Sequence, residues 1–235
     1  MNFNIPYCPA KKYNFKSVYD QFGSLVKEDF TDETEVILIK EFENRLKEYL
    51  SEINYKDLSM IELGSNQAYY SCLFYHMVKN AGKNPEILLV EPNDEHMKRG
   101  LKTLEKNKMR ASLSNSIIGD YDLLVNNLDA SSLPGGSDFI LRTNKEVITL
   151  EHLILDYGFE TIDVLHMDVD HSEYSVLVSG EKNFRDKDFG LVFISTHSPT
   201  LHEKCDIFMT ACGYKKTLEV KEMIVGYDSL LVFKR

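Results

Sequence analysis

One stretch of the sequence, Ile61 to Ser71, restricts the fold more than any other. It reads IELGSNQAYYS and follows the apolar residues LSM, so an apolar strand, an acidic residue, a glycine and small residues succeed one another. Gly64 permits a tight turn, and Ser65 to Ala68 would begin a helix whose first N–H groups have no partner within the helix. This order predicts a strand-turn-helix unit of an α/β sheet, with Glu62 at the strand end.

A second strand follows where such a unit predicts it. The segment EILLVEP, residues 86–92, is mainly apolar up to Glu91. A carboxylate at the end of the second strand can accept hydrogen bonds from both hydroxyls of a ribose. Together, the two strand ends predict a site for an adenosine-containing ligand.

Length and charge limit the possible functions. The 235 residues are 43% hydrophobic, which is enough for one substantial core. The 27 basic and 37 acidic residues give a net charge of -10, which opposes binding to a phosphate backbone, so nucleic acid is not expected as a substrate. The sequence shows no secretion signal and no apolar run of the roughly 20 residues that cross a bilayer. Its four cysteines have no metal-ligand spacing, so we expect a cytoplasmic protein with no membrane insertion.

Hydrophobic periodicity alternates between strand and helix along the chain. We predict strands at about 58–63, 86–91, 113–118, 162–168, 190–196, 214–220 and 227–233. We predict helices at about 67–80, 94–107, 149–157, 172–180 and 201–212. The link between the last two strands contains Gly226 and is too short for a parallel crossover, so these strands should pair as a hairpin. The expected fold is a Rossmann-like α/β fold: a mostly parallel seven-stranded sheet with an antiparallel last strand and helices on both faces.

The first 50 residues are predicted to be an extension that covers the core or a cleft. Residues 1–29 are rich in aromatic side chains, and two prolines argue against a regular element there. Thr31 is expected to cap a helix that runs to about residue 50. The main domain then covers residues 51–235.

Three blocks of the sequence resemble the FkbM-type S-adenosylmethionine (SAM)-dependent methyltransferases. ELGSNQAYYS is similar to that family's D-x-G-A-N-x-G-x-Y-S turn, and VEPN is similar to its F-E-P-N strand end. The segment from Ile148, ITLEHLILDYGFETIDVLHMDVDHSEYSVLVSG, is similar to its T-L-D-x-L and I-D-x-L-K-I-D-V-E-G-x-E-x-x-V-L-x-G patterns. The blocks cover roughly residues 58 to 200 in matching order. The resemblance implies a class I methyltransferase fold and SAM as the cofactor.

The resemblance and the strand ends together assign ten residues to SAM binding. They are Glu62, Gly64, Ser65, Asn66, Tyr70, Ser71, Glu91, Pro92, Asn93 and Ser116. Tyr70 is equally a candidate for a core contact of the first helix. Ala68 stands where the family has its second glycine, a change that cofactor binding should tolerate if the backbone there is already helical.

The departures from the family pattern cluster at two other strand ends. His166, Asp170 and His171 replace the family's lysine, glutamate and glycine, and Ser195 stands where a glutamate is usual. His197 still matches the family's histidine. The resemblance therefore leaves the methyl acceptor and the base open.

Side-chain alternation predicts which of these residues meet. His166, Asp168 and Asp170 should lie on one side of one strand, and Ser195 and His197 on one side of the next. Methyl transfer to a hydroxyl needs in-line placement and removal of the hydroxyl proton. We expect a neutral His197 or His166 to be the base, with Asp168 orienting a histidine or the substrate.

Two other interpretations of these side chains stay open. They also suit a divalent metal, for which Asp168, His197 and Asp170 are the candidate ligands. Alternatively, His166 is buried within its strand, and Asp170 and Glu173 only cap the following helix. For Asp170 and Glu173 the capping role is favoured.

The favoured function is an O-methyltransferase acting on a hydroxyl of a sugar or other small natural product, as the resemblance implies. Its expected partner is a small acceptor such as a carbohydrate. The altered strand ends leave open a non-catalytic or repurposed nucleoside-binding domain. A nicotinamide-dependent oxidoreductase is disfavoured, because only the first glycine of a GxGxxG turn is present.

Overall fold

Strands and helices alternate along most of the chain, and the main elements follow the order that the sequence predicts. A computed structural model describes residues 17–21, 24–27, 33–126, 144–223 and 228–235. It comprises two compact units, one ending at Ser114 and one beginning at Asn115. Among these residues, seven strands form one sheet, and two further pairs of strands each form a two-stranded sheet.

The described residues of the first unit form five strands and three helices. In chain order they are β1 (Ser17–Gln21), β2 (Ser24–Lys27), α1 (Glu33–Glu52), β3 (Asp57–Leu63), α2 (Tyr69–Asn80), β4 (Asn84–Val90), α3 (Asp94–Asn107) and β5 (Ser112–Ser114). β3 pairs with β4 and β4 with β5, in both cases in parallel. All of β3 after its first residue is buried, as is usual for a strand covered on both faces.

The second unit holds six strands and five helices among its described residues. In chain order they are β6 (Ile117–Ile118), α4 (Tyr121–Asn126), β7 (Val147–Ile148), α5 (Leu150–Tyr157), β8 (Ile162–Met167), α6 (Glu173–Ser179), α7 (Glu181–Arg185), β9 (Phe189–Thr196), α8 (Pro199–Ala211), β10 (Lys215–Met223) and β11 (Asp228–Lys234). β8 and β9 pair in parallel and are buried along their whole length.

The seven-stranded sheet has the order β10-β11-β9-β8-β3-β4-β5. β11 runs antiparallel to both β9 and β10, so the predicted terminal hairpin is confirmed. The predicted fold class, a mostly parallel seven-stranded sheet with an antiparallel last strand, is also confirmed. Residues 224–227, which join the hairpin and include Gly226, lie outside the described residues.

Two predicted elements differ from the structure. The predicted strand over 113–118 is interrupted: β5 joins the large sheet, whereas β6 pairs in parallel with β7. The expectation that residues 1–29 contain no regular element is wrong, because β1 and β2 form an antiparallel pair. Thr31 and the two N-terminal prolines lie outside the described residues.

Helix α1 packs through a stripe of apolar side chains. Ile39, Phe42, Leu46 and Tyr49 are buried at helical spacing. The Phe42 ring meets Tyr70 of α2 edge to face, with 5.1 Å between ring centroids. Burial of each large apolar side chain contributes about 1.5–3 kcal/mol, so this stripe is a major source of the stability of the first unit. Among the described helices, none is long and apolar enough to span a membrane.

Candidate functional site

The turn from β3 to α2 has an unusual backbone. Gly64, Asn66 and Ala68 all have positive φ angles, of 73°, 45° and 60°. Two N–H groups of the turn, those of Gly64 and Ser65, donate to the carbonyl of Val90 at the end of β4, at 2.9 and 3.0 Å. Left-handed backbone at residues other than glycine is costly and clusters at ligand-binding turns.

Ala68 corrects an expectation from the sequence. Its φ and ψ of 60° and 36° are left-handed, so the backbone there is not helical in the right-handed sense. The methyl group of an alanine destabilises this conformation by roughly 1 kcal/mol relative to glycine. Helix α2 begins only at Tyr69.

Glu62 holds the first turn of α2 in place. Its buried carboxylate accepts a hydrogen bond from the Ser71 N–H at 3.1 Å and another from the Ser71 hydroxyl. A negative charge at this point complements the N-terminal end of the helix dipole. Burial, reinforced by the charge of Glu62, raises the pKa of the adjacent Cys72 thiol, which stays protonated. The hydrogen bonds between Glu62 and Ser71 therefore fix the first turn of α2 against the end of β3.

Glu91 joins the turn to the strand beside it. Its two carboxylate oxygens accept the N–H groups of Asn66 at 2.8 Å and Asn93 at 2.9 Å. The Asn93 side chain caps α3 by accepting the N–H of Glu95 at 2.9 Å. Helix α3 lies close to the β3–α2 turn, since a Cβ atom on its Gly100 would lie 3.2 Å from the Asn66 carbonyl oxygen.

The turn also contains buried polar atoms that a ligand would satisfy. Ser65 Oγ and Gln67 Oε1 have no hydrogen-bond partner within the described part of the chain, although both side chains are buried. Buried polar atoms without partners are rare in proteins and indicate a missing ligand or water. With the Glu91 carboxylate beside them, these atoms fit the donors and acceptors of a nucleoside cofactor.

The remaining cofactor candidates have different surroundings. Tyr70 packs between Phe42 and Tyr69, whose ring centroids are 5.1 and 5.8 Å away, so it is a core contact. Ser116 is buried in the second unit, next to β6. Pro92 is half-buried between Glu91 and the start of α3.

The second unit brings together a histidine and three carboxylates. His197 Nδ1 lies 2.6 Å from Glu173 Oε1, and its Nε2 lies 3.2 Å from Asp168 Oδ1 and 3.8 Å from Asp170 Oδ1. The exposures differ sharply: the side chain of Glu173 is 0% exposed, His197 14%, Asp168 45% and Asp170 90%. Asp168 therefore contacts His197 and is at the same time accessible to a bound molecule.

His197 is positively charged in this environment. Burial alone would lower its pKa, but hydrogen bonds to Asp168 and Glu173 and the charges of both carboxylates raise the pKa to about 11. Both ring nitrogens consequently carry hydrogens and donate to carboxylates. A protonated His197 cannot take a proton from the acceptor at neutral pH, so this environment disfavours the predicted role of a neutral His197 as the base, which stays a prediction.

Asp168 is ionised for the converse reason. Desolvation would raise its pKa, but the hydrogen bond and the charge of His197 outweigh that effect and hold the pKa below its ordinary range. His166, the other predicted base, is buried in β8 against Phe193, with 6.3 Å between ring centroids. Burial lowers the His166 pKa to about 4, so its ring is neutral but weakly basic. Of the three predicted catalytic residues, only Asp168 is both exposed and able to accept a proton.

The turn after β8 departs from the predicted alternation. β8 ends at Met167, so Asp168 and Asp170 lie beyond the strand. Asp170 and His171 have left-handed φ angles of 43° and 71°. Similarly, β9 ends at Thr196, with Ser195 buried and paired with Leu230, and His197 follows the strand. Asp168, Asp170 and His197 still meet, but in two turns and not along two strands.

Comparison with known proteins decides the family. The family profile described as "Methyltransferase FkbM domain" matches residues 62–216. The chain belongs to the FkbM methyltransferase family. Among curated protein sequences, none matches the chain.

Solved structures agree with this family at the level of the fold. The chain resembles the FkbM methyltransferase from Methylobacillus flagellatus KT with a TM-score of 0.56 and 14% identity, over 83% of this chain and 52% of that one. It also resembles a structure from Listeria monocytogenes described as a class I SAM-dependent methyltransferase, with a TM-score of 0.51 and 9% identity, over 87% and 60% of the two chains. The chain thus spans about half the length of the Methylobacillus FkbM structure. It has the fold and the family of a SAM-dependent methyltransferase.

The FkbM pattern explains one residue that sequence reasoning undervalued. Glu173 does act at the start of α6, where its Oε1 accepts the His171 N–H at 3.2 Å. The same oxygen accepts the hydrogen bond of His197, so capping is only half of its role. Glu173 matches the second glutamate of the family's V-E-G-x-E pattern, and that match was the available signal.

The chain does not fit the metal-binding alternative. Within the described ranges, no group of three or more His, Cys, Asp or Glu side chains is arranged to hold a metal ion. The physical reason is that both ring nitrogens of His197 face carboxylates, at 2.6 and 3.2 Å. A metal ligand needs a deprotonated nitrogen aimed at the ion.

Proposed function

We propose that this protein is a SAM-dependent O-methyltransferase that acts on a hydroxyl of a sugar or other small natural product. The observation that carries the proposal is the pair formed by Asp168 and His197. A half-exposed carboxylate is held by a half-buried, protonated histidine directly after two neighbouring parallel strands. Ligands of open α/β sheets bind at the carboxyl ends of such strands.

The turn after β3 would hold the cofactor. Glu91 would accept the ribose hydroxyls, and Ser65 and Gln67 would bond polar groups of the ligand with their otherwise unpartnered atoms. When bound, SAM supplies an electrophilic methyl group on its sulfonium sulfur. Glu62 and Ser71 contribute indirectly, because they fix the first turn of α2.

Asp168 is the group that we assign to the acceptor. As the new C–O bond forms, the attacking hydroxyl becomes far more acidic, so a carboxylate with a low pKa suffices to take its proton. The hydroxyl hydrogen would bond to Asp168 first and transfer to it late. Because Asp168 is 45% exposed, it can then release the proton to water. His197 stays protonated throughout and fixes the orientation of Asp168.

The charges of the cluster support a neutral or hydroxyl-rich acceptor. Asp168 and Asp170 present only hydrogen-bond acceptors, which suit an acceptor that carries several hydroxyl donors. Three carboxylates and one imidazolium leave a negative surface, which repels phosphate and carboxylate groups. A neutral sugar fits both conditions.

The test begins with calorimetric binding of SAM and S-adenosylhomocysteine (SAH). Transfer of a labelled methyl group from SAM to a panel of neutral sugars then follows. We expect Asp168→Asn to reduce turnover by about 100-fold or more with unchanged SAH affinity, since general-base catalysis contributes on the order of 10²–10⁴-fold. Asp170→Asn is the matched control, because that side chain is 90% exposed and lies at 3.8 Å from His197.

The outcomes separate the two candidate functions. No binding of SAM or SAH would reject the methyltransferase proposal. Binding with no transfer to any acceptor in the panel would favour the repurposed nucleoside-binding domain. Wild-type turnover in the Asp168→Asn variant would show that the proton leaves by another route.

A further inference from the structure

A buried histidine of α8, His202, contacts the residues on both sides of His197. Its ring nitrogen Nδ1 lies 2.8 Å from the Thr196 hydroxyl oxygen, and its backbone N–H donates to the Ser198 carbonyl at 2.9 Å. Thr196 is the last residue of β9, and Ser198 caps α8 by accepting the Leu201 N–H at 3.2 Å. His202 therefore holds both ends of the short connection that carries His197.

The opposite nitrogen of the His202 ring bonds to a carboxylate of β10. Its Nε2 lies 3.1 Å from Glu219 Oε1. The ammonium groups of Lys216 and Lys221 lie 2.7 and 2.8 Å from the same carboxylate, and Lys216 also pairs with Asp206 of α8 at 2.8 Å. Hydrogen bonds from the two lysines lower the pKa of Glu219 to about 2, so its carboxylate is ionised. An ionised carboxylate only accepts hydrogen bonds, so Nε2 donates, and the orientation of the ring is fixed.

The Thr196 hydroxyl depends on this histidine. Thr196 is 0% exposed and pairs with Ser229 of β11 in the large sheet. Its hydroxyl also lies 3.4 Å from the Ser229 carbonyl oxygen, which is long for a bond between a hydroxyl and an oxygen. Because a hydroxyl both donates and accepts, it bonds to Nδ1 of His202 whichever charge the ring carries. Removal of the ring would leave a buried polar group poorly satisfied at the end of β9.

The bond between His197 and Asp168 is sensitive to the position of this connection. His197 Nε2 lies 3.2 Å from Asp168 Oδ1, at the upper end of the usual range for a hydrogen bond. A displacement of the connection by about 0.5 Å would therefore weaken the bond strongly. Functional groups have to be held to about this precision by the side chains around them.

We propose that His202 is a positioning residue for the pair formed by Asp168 and His197. Through the Thr196 hydroxyl it holds the end of β9, so that the His197 ring stays within hydrogen-bond distance of Asp168. This inference rests on the proposed function, in which Asp168 takes the proton of the acceptor. His202 itself touches no ligand in this proposal.

The first experiment uses the full chain without a ligand. NMR of protein with ¹⁵N-labelled histidine measures how fast the Nε2 hydrogen of His197 exchanges with water, and His197→Gln assigns the signal. For His202→Ala and for Thr196→Val we expect about tenfold faster exchange than in the wild type, which corresponds to about 1.4 kcal/mol. Thr196→Ser keeps the hydroxyl and should restore the slow exchange.

Asn183→Ala is the matched control for a general loss of stability. Asn183 is buried, and its Nδ2 donates to Asp188 Oδ2 at 2.9 Å, directly before the start of β9. The variant therefore loses a buried hydrogen bond between side chains at the opposite end of the same strand. Exchange of the His197 hydrogen should stay as slow as in the wild type.

The second experiment measures methyl transfer from SAM to the sugar that the wild type methylates. For His202→Ala we expect kcat to fall about tenfold, since the carboxylate that takes the proton is less well placed. The KM for SAM and the affinity for SAH should stay unchanged, because neither His202 nor Thr196 is assigned to the cofactor. A loss of folded protein would instead reduce the number of SAH sites in calorimetry.

Each contrary result has its own meaning. Wild-type exchange of the His197 hydrogen in both His202→Ala and Thr196→Val would overturn the positioning role. Equally fast exchange in Asn183→Ala would overturn it as well, since a general loss of stability would then explain the effect. Faster exchange in His202→Ala with wild-type kcat would show that the reaction does not need this support. Absence of SAM and SAH binding by the wild type would overturn the proposed function, whereas the exchange experiment decides on its own whether His202 positions His197.

Discussion

The positive charge on His197 is the property of this site that a single substitution tests most directly. Glu173→Gln keeps the size of the side chain and an oxygen that can accept the Nδ1–H of His197. It removes a fully buried negative charge 2.6 Å from that nitrogen. Asp168, at 3.2 Å and half exposed, then remains as the nearest counter-charge.

The size of the effect follows from the distance. Two opposite unit charges 2.6 Å apart attract by on the order of 6 kcal/mol at an effective dielectric constant of about 20. If the hydrogen bond to the neutral amide retains half of that attraction, the protonated form of His197 loses about 3 kcal/mol of stabilisation. One pKa unit corresponds to about 1.4 kcal/mol. We therefore expect the pKa of His197 to fall by about two units from its wild-type value of about 11.

Histidine-selective NMR titration measures this change. In the wild type, the His197 resonances should not titrate between pH 5.5 and 9, whereas in Glu173→Gln the start of a transition should enter that range. Glu181→Gln is the control, because Glu181 is an exposed glutamate that pairs with Arg185 at 2.6 Å. A wild-type His197 that titrates near its ordinary pKa of about 6.5, or a pKa that does not move in Glu173→Gln, would refute the reasoning.

The same charge makes stability depend on pH in a defined direction. The folded pKa of His197 lies above the unfolded value of 6.5, so its stabilisation is fully present below pH 6.5 and is lost as pH rises toward about 11. Urea unfolding of the wild type and of His197→Gln should therefore converge with rising pH, by up to about 1.4 kcal/mol per pH unit. The difference between the two proteins cancels the titration of all other groups. A constant difference between pH 6.5 and 8.5 would contradict the assignment.

Two further substitutions test the cofactor turn. Ala68→Gly should raise the free energy of urea unfolding by about 1 kcal/mol, because glycine relieves the left-handed backbone at φ 60°. Ala81→Gly is the control, since Ala81 has an ordinary φ of -74° and its replacement should not stabilise the protein. Glu91→Gln should weaken SAH binding about tenfold or more in calorimetry, since it removes the charge that orders the Asn66 and Asn93 amides. Glu86→Gln, which changes an exposed glutamate on the strand that precedes Glu91, should bind SAH normally, and an equal loss there would contradict a specific role for Glu91.

The fold was largely predictable because hydrophobic periodicity reports burial. The apolar runs that became β3, β4, β8 and β9 are buried, and the short link before the last strand correctly predicted the antiparallel hairpin. The predicted strand over 113–118 failed because the residue types of this segment do not reveal a change of strand partner. Its two halves pair with β4 and with β7, and that choice is made by distant residues.

The site was less predictable, since its chemistry depends on contacts between distant parts of the chain. The sequence identifies Asp168 and His197 as polar residues after buried strands, and the structure brings them together. It does not reveal that Glu173, 24 positions before His197, is buried beneath the ring. The pKa of His197 depends on that contact, so periodicity and motif alone do not give its protonation state.

Two left-handed residues show how this chain differs from its family at both ends of the proposed reaction. Ala68 and His171 both stand where the FkbM pattern has glycine, and both have positive φ angles, of 60° and 71°. Each therefore carries a backbone cost of roughly 1 kcal/mol that glycine would avoid. The two replacements differ in the contacts that the new side chain makes. The Ala68 methyl is buried beside the close approach of Gly100, whereas the His171 ring lies against His197, with 5.5 Å between ring centroids. Because only the second replacement adds a polar group to the charged cluster, the divergence of this chain from its family bears on the acceptor more than on the cofactor.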